Sequence, residues 1–155
     1  MSNITIRPME PEDWNAVSEI YSEGIATGHA TFQTTCPPYT AWDAFHIKEC
    51  RLVILDGGEL AGWAALRRVD PRWCYRGVAE VSIYVGEKFR GRSLGSRLLT
   101  ALCDESEKEG YWTLHSTVLQ DNTASLGLHT KCGFRVWGGG SASPGTVMAA
   151  GWTPT

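Results

Sequence analysis

Residues 80–102 concentrate more potential chemistry than any other stretch of the chain. Glu80-Val81-Ser82-Ile83-Tyr84-Val85 is an apolar, strand-favouring run. It leads through Gly86 to Arg90-Gly91-Arg92-Ser93-Leu94-Gly95-Ser96-Arg97-Leu98-Leu99. A strand feeding a glycine-bearing turn that opens a helix aims several backbone N–H groups at one point, and the helix dipole adds positive potential there. Arg90, Arg92 and Arg97 bring guanidinium groups to the same place, while Gly91 and Gly95 permit close backbone approach. Such a turn suits a pyrophosphate. It is not a nucleotide P-loop, because no Gly-Lys-Ser/Thr closes it, nor is it a Gly-x-Gly-x-x-Gly dinucleotide turn. Taken alone, it could equally be an ordinary turn with solvated arginines.

Other elements must hold that turn. Residues 4–7 alternate apolar and polar, which predicts a short strand. Pro11-Glu12-Asp13 opens a helix, with proline in the first turn and acids complementing the dipole. Trp14, Val17, Ile20 and Tyr21 follow at helical spacing, and Gly24 predicts the stop. A loop spans 28–38, broken by Pro37-Pro38, and a second short helix is expected over 40–47. Apolar runs at 51–55 and 60–67 flank Asp56-Gly57-Gly58-Glu59, a hairpin signal. A loop over 70–77 precedes a strand over 78–85, then a helix over 91–109 closed by Gly110. A strand over 113–119 follows, then a helix over 122–131 that Asn122 can cap and Gly133 ends, then a strand from Phe134. This order mixes a meander with a crossover. The expected class is α/β (α+β), with helices packed on one mixed sheet.

The bulk properties narrow the function. A chain of 155 residues fits one domain. A formal charge of −3 gives no general basic field, so nucleic acid is not an expected partner and any anion must be met by a local cluster. Cys36, Cys50, Cys74, Cys103 and Cys132 lie far apart with no metal-ligand spacing. They read as free thiols in a reducing compartment, and no metal is expected. No apolar run reaches the roughly 18 residues needed to span a bilayer, and residues 1–8 lack the apolar core of a signal peptide. The expectation is a cytoplasmic protein without a membrane anchor.

A second constellation sharpens the first. Asn122-x-x-Ser125-x-x-Leu128-His129-x-Lys131-x-Gly133-Phe134 lies one strand beyond the basic turn. With it the chain resembles the GCN5-related N-acetyltransferases (GNAT), and among them the phosphinothricin and methionine sulfoximine type of amino-acid N-acetyltransferase. The resemblance runs through Ile20-Tyr21, Ala30-Thr31-Phe32, the 80–99 block and the 122–134 block. It implies the GNAT fold, one mixed and mostly antiparallel sheet flanked by about four helices, with acetyl-CoA as cofactor. The backbone of Ile83, Tyr84 and Val85 would pair with the pantetheine arm. Arg90, Gly91, Arg92, Ser93, Leu94, Gly95 and Ser96 would hold the pyrophosphate, with Asn122 and Ser125 facing the cofactor from the next helix. The family turn reads Arg/Gln-x-x-Gly-x-Gly/Ala, and Ser93 stands where the first glycine belongs. Its side chain enters space the phosphate oxygens approach, so weakened cofactor binding is expected.

An amine attacks a thioester only when neutral, so a base is needed at pH 7. Glu80 matches the family's catalytic glutamate and is the expected general base, through a water; its plainer alternative is a solvated strand-end carboxylate. His129 matches a histidine of the phosphinothricin-type branch and could protonate the departing thiolate, or simply pack. The resemblance puts the acceptor against Phe32, Arg72, Trp73, Cys74 and Tyr75, where Arg72 suits a carboxylate or phosphinate. Phe32 and Trp73 serve equally well as packing residues. Asp70 stands where relatives can carry lysine, which counts against phosphinothricin itself. A homodimer is also implied.

From Gly138 the composition changes. Residues 138–155 contain no charged side chain and are rich in Gly, Ala, Ser, Thr and Pro, whereas the family closes with a basic segment and a final strand. The expected organisation is an acetyltransferase domain over 1–137 and an atypical tail over 138–155. The tail reads as linker, with Val147-Met148-Ala149-Ala150 as the stretch able to substitute as a strand paired with that of 113–119. A single-base frameshift near codons 137–140 is one explanation. Read from the third base of the Gly140 codon, permitted codons give Lys-Arg-Ile-Ala-Arg-Asp-Arg-Asp-Gly-Arg-Trp-Met-Asp-Thr, which looks like the family's closing segment.

Three functions remain open on these residues. One is an N-acetyltransferase for small amino-acid-like acceptors. The second is a protein or peptide N-acetyltransferase of the same fold. The third is a CoA-binding protein impaired by its tail and by Ser93.

Overall fold

The computed structural model describes residues 3–27, 36–68, 76–90, 93–119, 128–129, 132–138 and 147–152. Seven strands form one sheet: β1 (Ile4–Pro8), β2 (Leu52–Asp56), β3 (Glu59–Arg68), β4 (Val78–Val85), β5 (Thr113–Leu119), β6 (Arg135–Gly138) and β7 (Val147–Trp152), in the order β1-β2-β3-β4-β5-β7-β6. Every neighbouring pair is antiparallel except β4 and β5. Three α-helices are described: α1 (Trp14–Thr27), α2 (Tyr39–Phe45) and α3 (Leu94–Lys108). The expected helix over 122–131 lies mostly outside the described residues; Leu128 and His129 within it are helical. The α/β class is as expected.

The β2–β3 hairpin turns on Gly57 and Gly58, whose φ angles of +63° and +86° are the left-handed pair a two-residue turn demands. Strand alternation then sorts β4 onto two faces. Ala79 and Val81 join Leu98, Leu99 and Leu102 of α3 in one apolar core. The other face carries a second core of Val17, Ile20, Tyr21, Trp42, Val53, Trp63 and Ala65, covered by α1 and α2. Register places Trp63 opposite Tyr84, Ala65 opposite Ser82 and Arg67 opposite Glu80 on that second face.

Several boundaries differ from expectation: Pro11–Asp13 forms a 3₁₀ turn ahead of α1 rather than its first turn, and α2 ends at Phe45, not 47. Gly24 does not end α1, which continues to Thr27. Ile25 packs against the second core, and a helical glycine costs only about 1 kcal/mol, so packing prevails. Helix α3 begins at Leu94 rather than at residue 91, because Ser93 has φ +61° and ψ 18° and cannot be a helical residue.

Part of the tail is not linker. β7 lies between β5 and β6, pairing Leu114–Leu119 with 147–152 and Arg135–Gly138 with 148–151. The substitute strand is two residues longer than the 147–150 stretch expected. Its neighbour β6 becomes the outer strand of the sheet.

The second core holds a titratable group. His46 is 8% exposed, stacks on Trp42 at 4.3 Å and meets Trp63 edge-on at 6.1 Å. Its Nδ1–H donates to the Trp42 carbonyl at 2.8 Å. Burial pushes its pKa down to about 4; the Trp42 carbonyl opposes the shift, and Arg67 and Arg51 add to it. The unfolded chain therefore takes up this proton first, and stability falls as pH drops from about 6.5 toward about 4, by on the order of 3 kcal/mol in full. Urea midpoints measured across that window should decline for the native chain, and His46→Gln should flatten the decline. An equal slope in both proteins would show that His46 does not set it.

Candidate functional site

β4 and β5 are paired only from Val78–Thr113 to Glu80–His115. Beyond that point β4 runs on to Val85 hydrogen-bonded to β3, while β5 runs on to Leu119 paired with β7. The backbone of residues 82–85 therefore has no strand partner on its β5 side among the described residues. Such an edge can take an extended ligand as it would take another strand. Ile83 and Val85 are half-buried against the α3-side core.

The strand points at the start of α3. Gly86, a short 3₁₀ turn (Glu87–Phe89) and Arg90 make the connection, with Arg90 exposed. Ser93 is the N-cap yet makes no side-chain capping bond, and the first helical bond runs from Arg97 N–H to the Ser93 carbonyl at 3.2 Å. The N–H groups of Leu94, Gly95 and Ser96 thus have no partner inside the helix. They sit at the positive end of a 15-residue dipole. A Cβ on Gly95 would lie 3.4 Å from Leu128 and 3.5 Å from Val85, so the helix start and the strand end are in close contact. An uncapped helix start joined to a free strand edge fits a ligand carrying a pyrophosphate on an amide-bearing arm, which is what CoA is.

Across the second face, three strands place Arg67, Glu80 and His115 side by side. Arg67 Nη2 donates to Glu80 Oε1 at 2.5 Å, with the two side chains 40% and 27% exposed. Next to this row is a cavity of about 170 Å³ lined by Tyr21, Pro37, Trp42, Phe45, His46, Arg67, Ser82 and Tyr84. Aromatic rings make its walls: Tyr84 stacks on Tyr21 at 5.0 Å and on Trp63 at 5.1 Å. With Nδ1–H engaged by the Trp42 carbonyl, neutral His46 presents Nε2 as an acceptor to the Ser82 hydroxyl at 3.4 Å.

His129 lies elsewhere. It is 1% exposed and meets Phe134 of the α3-side core edge-on at 5.0 Å. Its carbonyl accepts from the N–H groups of Cys132 and Phe134, closing the turn after it.

Of the residues expected in the site, Glu80, Ile83, Tyr84, Val85, Arg90, Ser93, Leu94, Gly95, Ser96 and His129 are described, and the first nine follow one another through β4 and into α3. Phe32, Arg72, Trp73, Cys74, Tyr75, Gly91, Arg92, Asn122 and Ser125 lie outside the described residues. Arg67, His46, Ser82, Tyr21 and Trp42 were not anticipated as site residues. The signal for Arg67 was a charge ending an apolar strand; for His46 it was a four-residue spacing from Trp42.

Cys36, Cys50, Cys103 and Cys132 are free thiols, and burial pushes Cys50 and Cys103 up to about 12, so both are inert packing groups. Among the described residues no cluster of three or more His, Cys, Asp or Glu could hold a metal ion, and no helix is long and apolar enough to cross a membrane.

Comparison with known proteins agrees with this geometry. The acetyltransferase (GNAT) family pattern matches residues 14–134. A phosphinothricin N-acetyltransferase from Alcaligenes faecalis is 34% identical over 136 residues, 84% of this chain and 69% of that protein. An L-methionine sulfoximine/L-methionine sulfone acetyltransferase from Pseudomonas paraeruginosa is 29% identical over 86% of this chain and 81% of its own. In fold, a phosphinothricin acetyltransferase from Sinorhizobium meliloti solved with acetyl-CoA superimposes with a TM-score of 0.82 over 97% of this chain and 88% of its own, at 23% identity. The free edge of β4 and the uncapped start of α3 fall inside the matched span, and the chain belongs to the GNAT family of acetyltransferases.

Proposed function

We propose that this acetyltransferase moves an acetyl group from acetyl-CoA to the amino group of a small amino-acid-like acceptor of the phosphinothricin, methionine sulfoximine or methionine sulfone class, by direct attack with Glu80 as general base. The observation that carries this is the parting of β4 from β5 immediately after Glu80 and His115. It leaves a strand edge for the pantetheine arm, ends at helix N–H groups for the pyrophosphate, and sets Glu80 at the fork. Gly91, Arg92, Asn122 and Ser125, outside the described residues, complete the cofactor site in this proposal.

The chemistry then balances simply. The acceptor ammonium gives a proton to Glu80 through a water, and the neutral nitrogen attacks the thioester carbonyl carbon. A C–N bond forms and the C–S bond breaks; the thiolate leaves with a proton for which His129 is the proposed donor, and the nitrogen, cationic after attack, sheds its second proton, which replaces the one given to sulfur. Arg72, Trp73, Cys74, Tyr75 and Phe32 complete the acceptor side. A protein or peptide acceptor is the second reading, but the small aromatic cavity beside Glu80 favours a free amino acid. The enzyme is taken to act as a cytoplasmic homodimer, without metal, membrane or nucleic acid.

Thiol release from acetyl-CoA, followed with methionine sulfone, methionine sulfoximine and phosphinothricin, tests this. Turnover should appear with at least one of them, and Glu80→Gln should lower kcat by roughly 10²- to 10⁴-fold without changing CoA affinity. CoA binding with no turnover on any acceptor would leave the impaired, non-catalytic protein instead. Ser93 supplies a separate check. A serine held at φ +61° costs about 1–2 kcal/mol over an unstrained residue, and its side chain stands at the phosphate turn. Ser93→Gly should tighten acetyl-CoA severalfold by calorimetry and leave thermal stability equal or higher. An affinity that did not rise would show that Ser93 is no handicap.

A further inference from the structure

Arg67 stands at the end of β3 between Glu80 and the aromatic cavity, and its guanidinium is incompletely used. One amino group donates to Glu80 Oε1 at 2.5 Å. Its Nε is sealed from solvent and has no hydrogen-bond partner among the described residues. A buried donor left unpaired is costly, so serving Glu80 alone is not the guanidinium's best-satisfied arrangement. Among the described residues, Arg67 is also the sole charged one lining the cavity. His46, which also lines the cavity, is neutral at pH 7 and offers an acceptor, not a competing cation. Among the described residues, aromatic rings therefore make most of the cavity's lining, and the one cation is the guanidinium that touches Glu80.

We propose that Arg67 is the seat of the acceptor's α-carboxylate, and that the acceptor draws the guanidinium away from Glu80 as it binds. This rests on Glu80 serving the acceptor amine. In an α-amino acid, amine and carboxylate hang on one carbon. An amine placed to lose its proton toward Glu80, directly or through one water, carries its carboxylate within reach of a guanidinium that already touches Glu80. Arg67 can meet a carboxylate with two parallel N–H donors, which no ammonium could do. The aromatic walls then take the methylene chain that leads on to the sulfoximine, sulfone or phosphinate. With no acceptor present the ion pair ties down the base. A carboxylate-bearing acceptor exchanges with it and frees Glu80 to take a proton; an amine without a carboxylate leaves Glu80 tied.

The test is calorimetric titration of CoA-saturated enzyme with L-methionine sulfone and with its α-carboxamide, alongside acetyl transfer to each. Native enzyme should prefer the acid in both binding and kcat/KM. Arg67→Gln should weaken the acid by about 10- to 100-fold and leave the carboxamide unchanged, with Arg67→Lys between. Glu80→Gln, which removes the competing carboxylate, should bind the acid more tightly than native enzyme while losing turnover. A merely structural Arg67 would move acid and carboxamide together, and that result would overturn the proposal. So would failure of the acid to bind native enzyme, or unchanged or weaker acid affinity in Glu80→Gln. Loss of the proposed function has a different signature: no acetyl transfer to either probe while the binding pattern holds.

Discussion

The site depends on a limit in pairing. Two parallel strands, β4 and β5, share three residue pairs and then separate. Everything useful follows from where that separation begins. It cannot begin earlier, because Ala79 and Leu114 lie side by side, both fully buried in the α3-side core, and hold the strands together. Once past Glu80 and His115, β4 stays in register with β3 down to Gly62–Val85, so its free edge remains straight and rigid. The cost of backbone groups without a strand partner is bearable only where a ligand or water meets them. A gap in the sheet is thus both the weakest part of the fold and the part best suited to hold an amide-rich arm.

The two faces of β4 divide the labour. Val81, Ile83 and Val85 anchor the strand to α3, whose start carries no side-chain cap. Glu80, Ser82 and Tyr84 face α1 and α2, where Trp42, Trp63 and Tyr21 build an aromatic wall. In the proposed reaction, alternation of side chains along one strand separates cofactor support from acceptor recognition. The buried His46 belongs to the second task. Its burial keeps it uncharged against the pull of the Trp42 carbonyl, which leaves the guanidinium of Arg67 as the one charge on the cavity among the described residues.

Much of this was legible in the chain. Strand β4 and strand β5 have the limits expected from their apolar, β-favouring runs, and Gly57-Gly58 marked a hairpin that needs two left-handed residues. The strand, turn and helix order of residues 78–108 was legible because a β-favouring run, glycines and a helical pattern follow one another directly. What sequence could not supply was registry. Nothing in the linear order says that Arg67 sits opposite Glu80, thirteen residues away, or that His46 reaches Ser82, thirty-six residues away. Those contacts arise from packing of strands and helices far apart in the chain. The chain did mark 147–150 as a stretch able to pair with β5, but not that β7 would lie between β5 and β6; that place comes from the two edges that flank it.

That insertion has a consequence for how the molecule is assembled. β7 lies between β5 and β6, although it follows both along the chain. A growing polypeptide makes β6 before it makes the only strand that joins β6 to the sheet. Until β7 arrives, β5 offers a row of open N–H and C=O groups to any passing chain, and four-residue β6 has no neighbour in the sheet to dock on. Contacts of this kind are slow to form, since the loop must close before pairing repays it. The interval before β7 is inserted is when neighbouring nascent copies could pair edge to edge, so the yield of folded enzyme at synthesis would depend on crowding among copies more than on the stability of the finished fold.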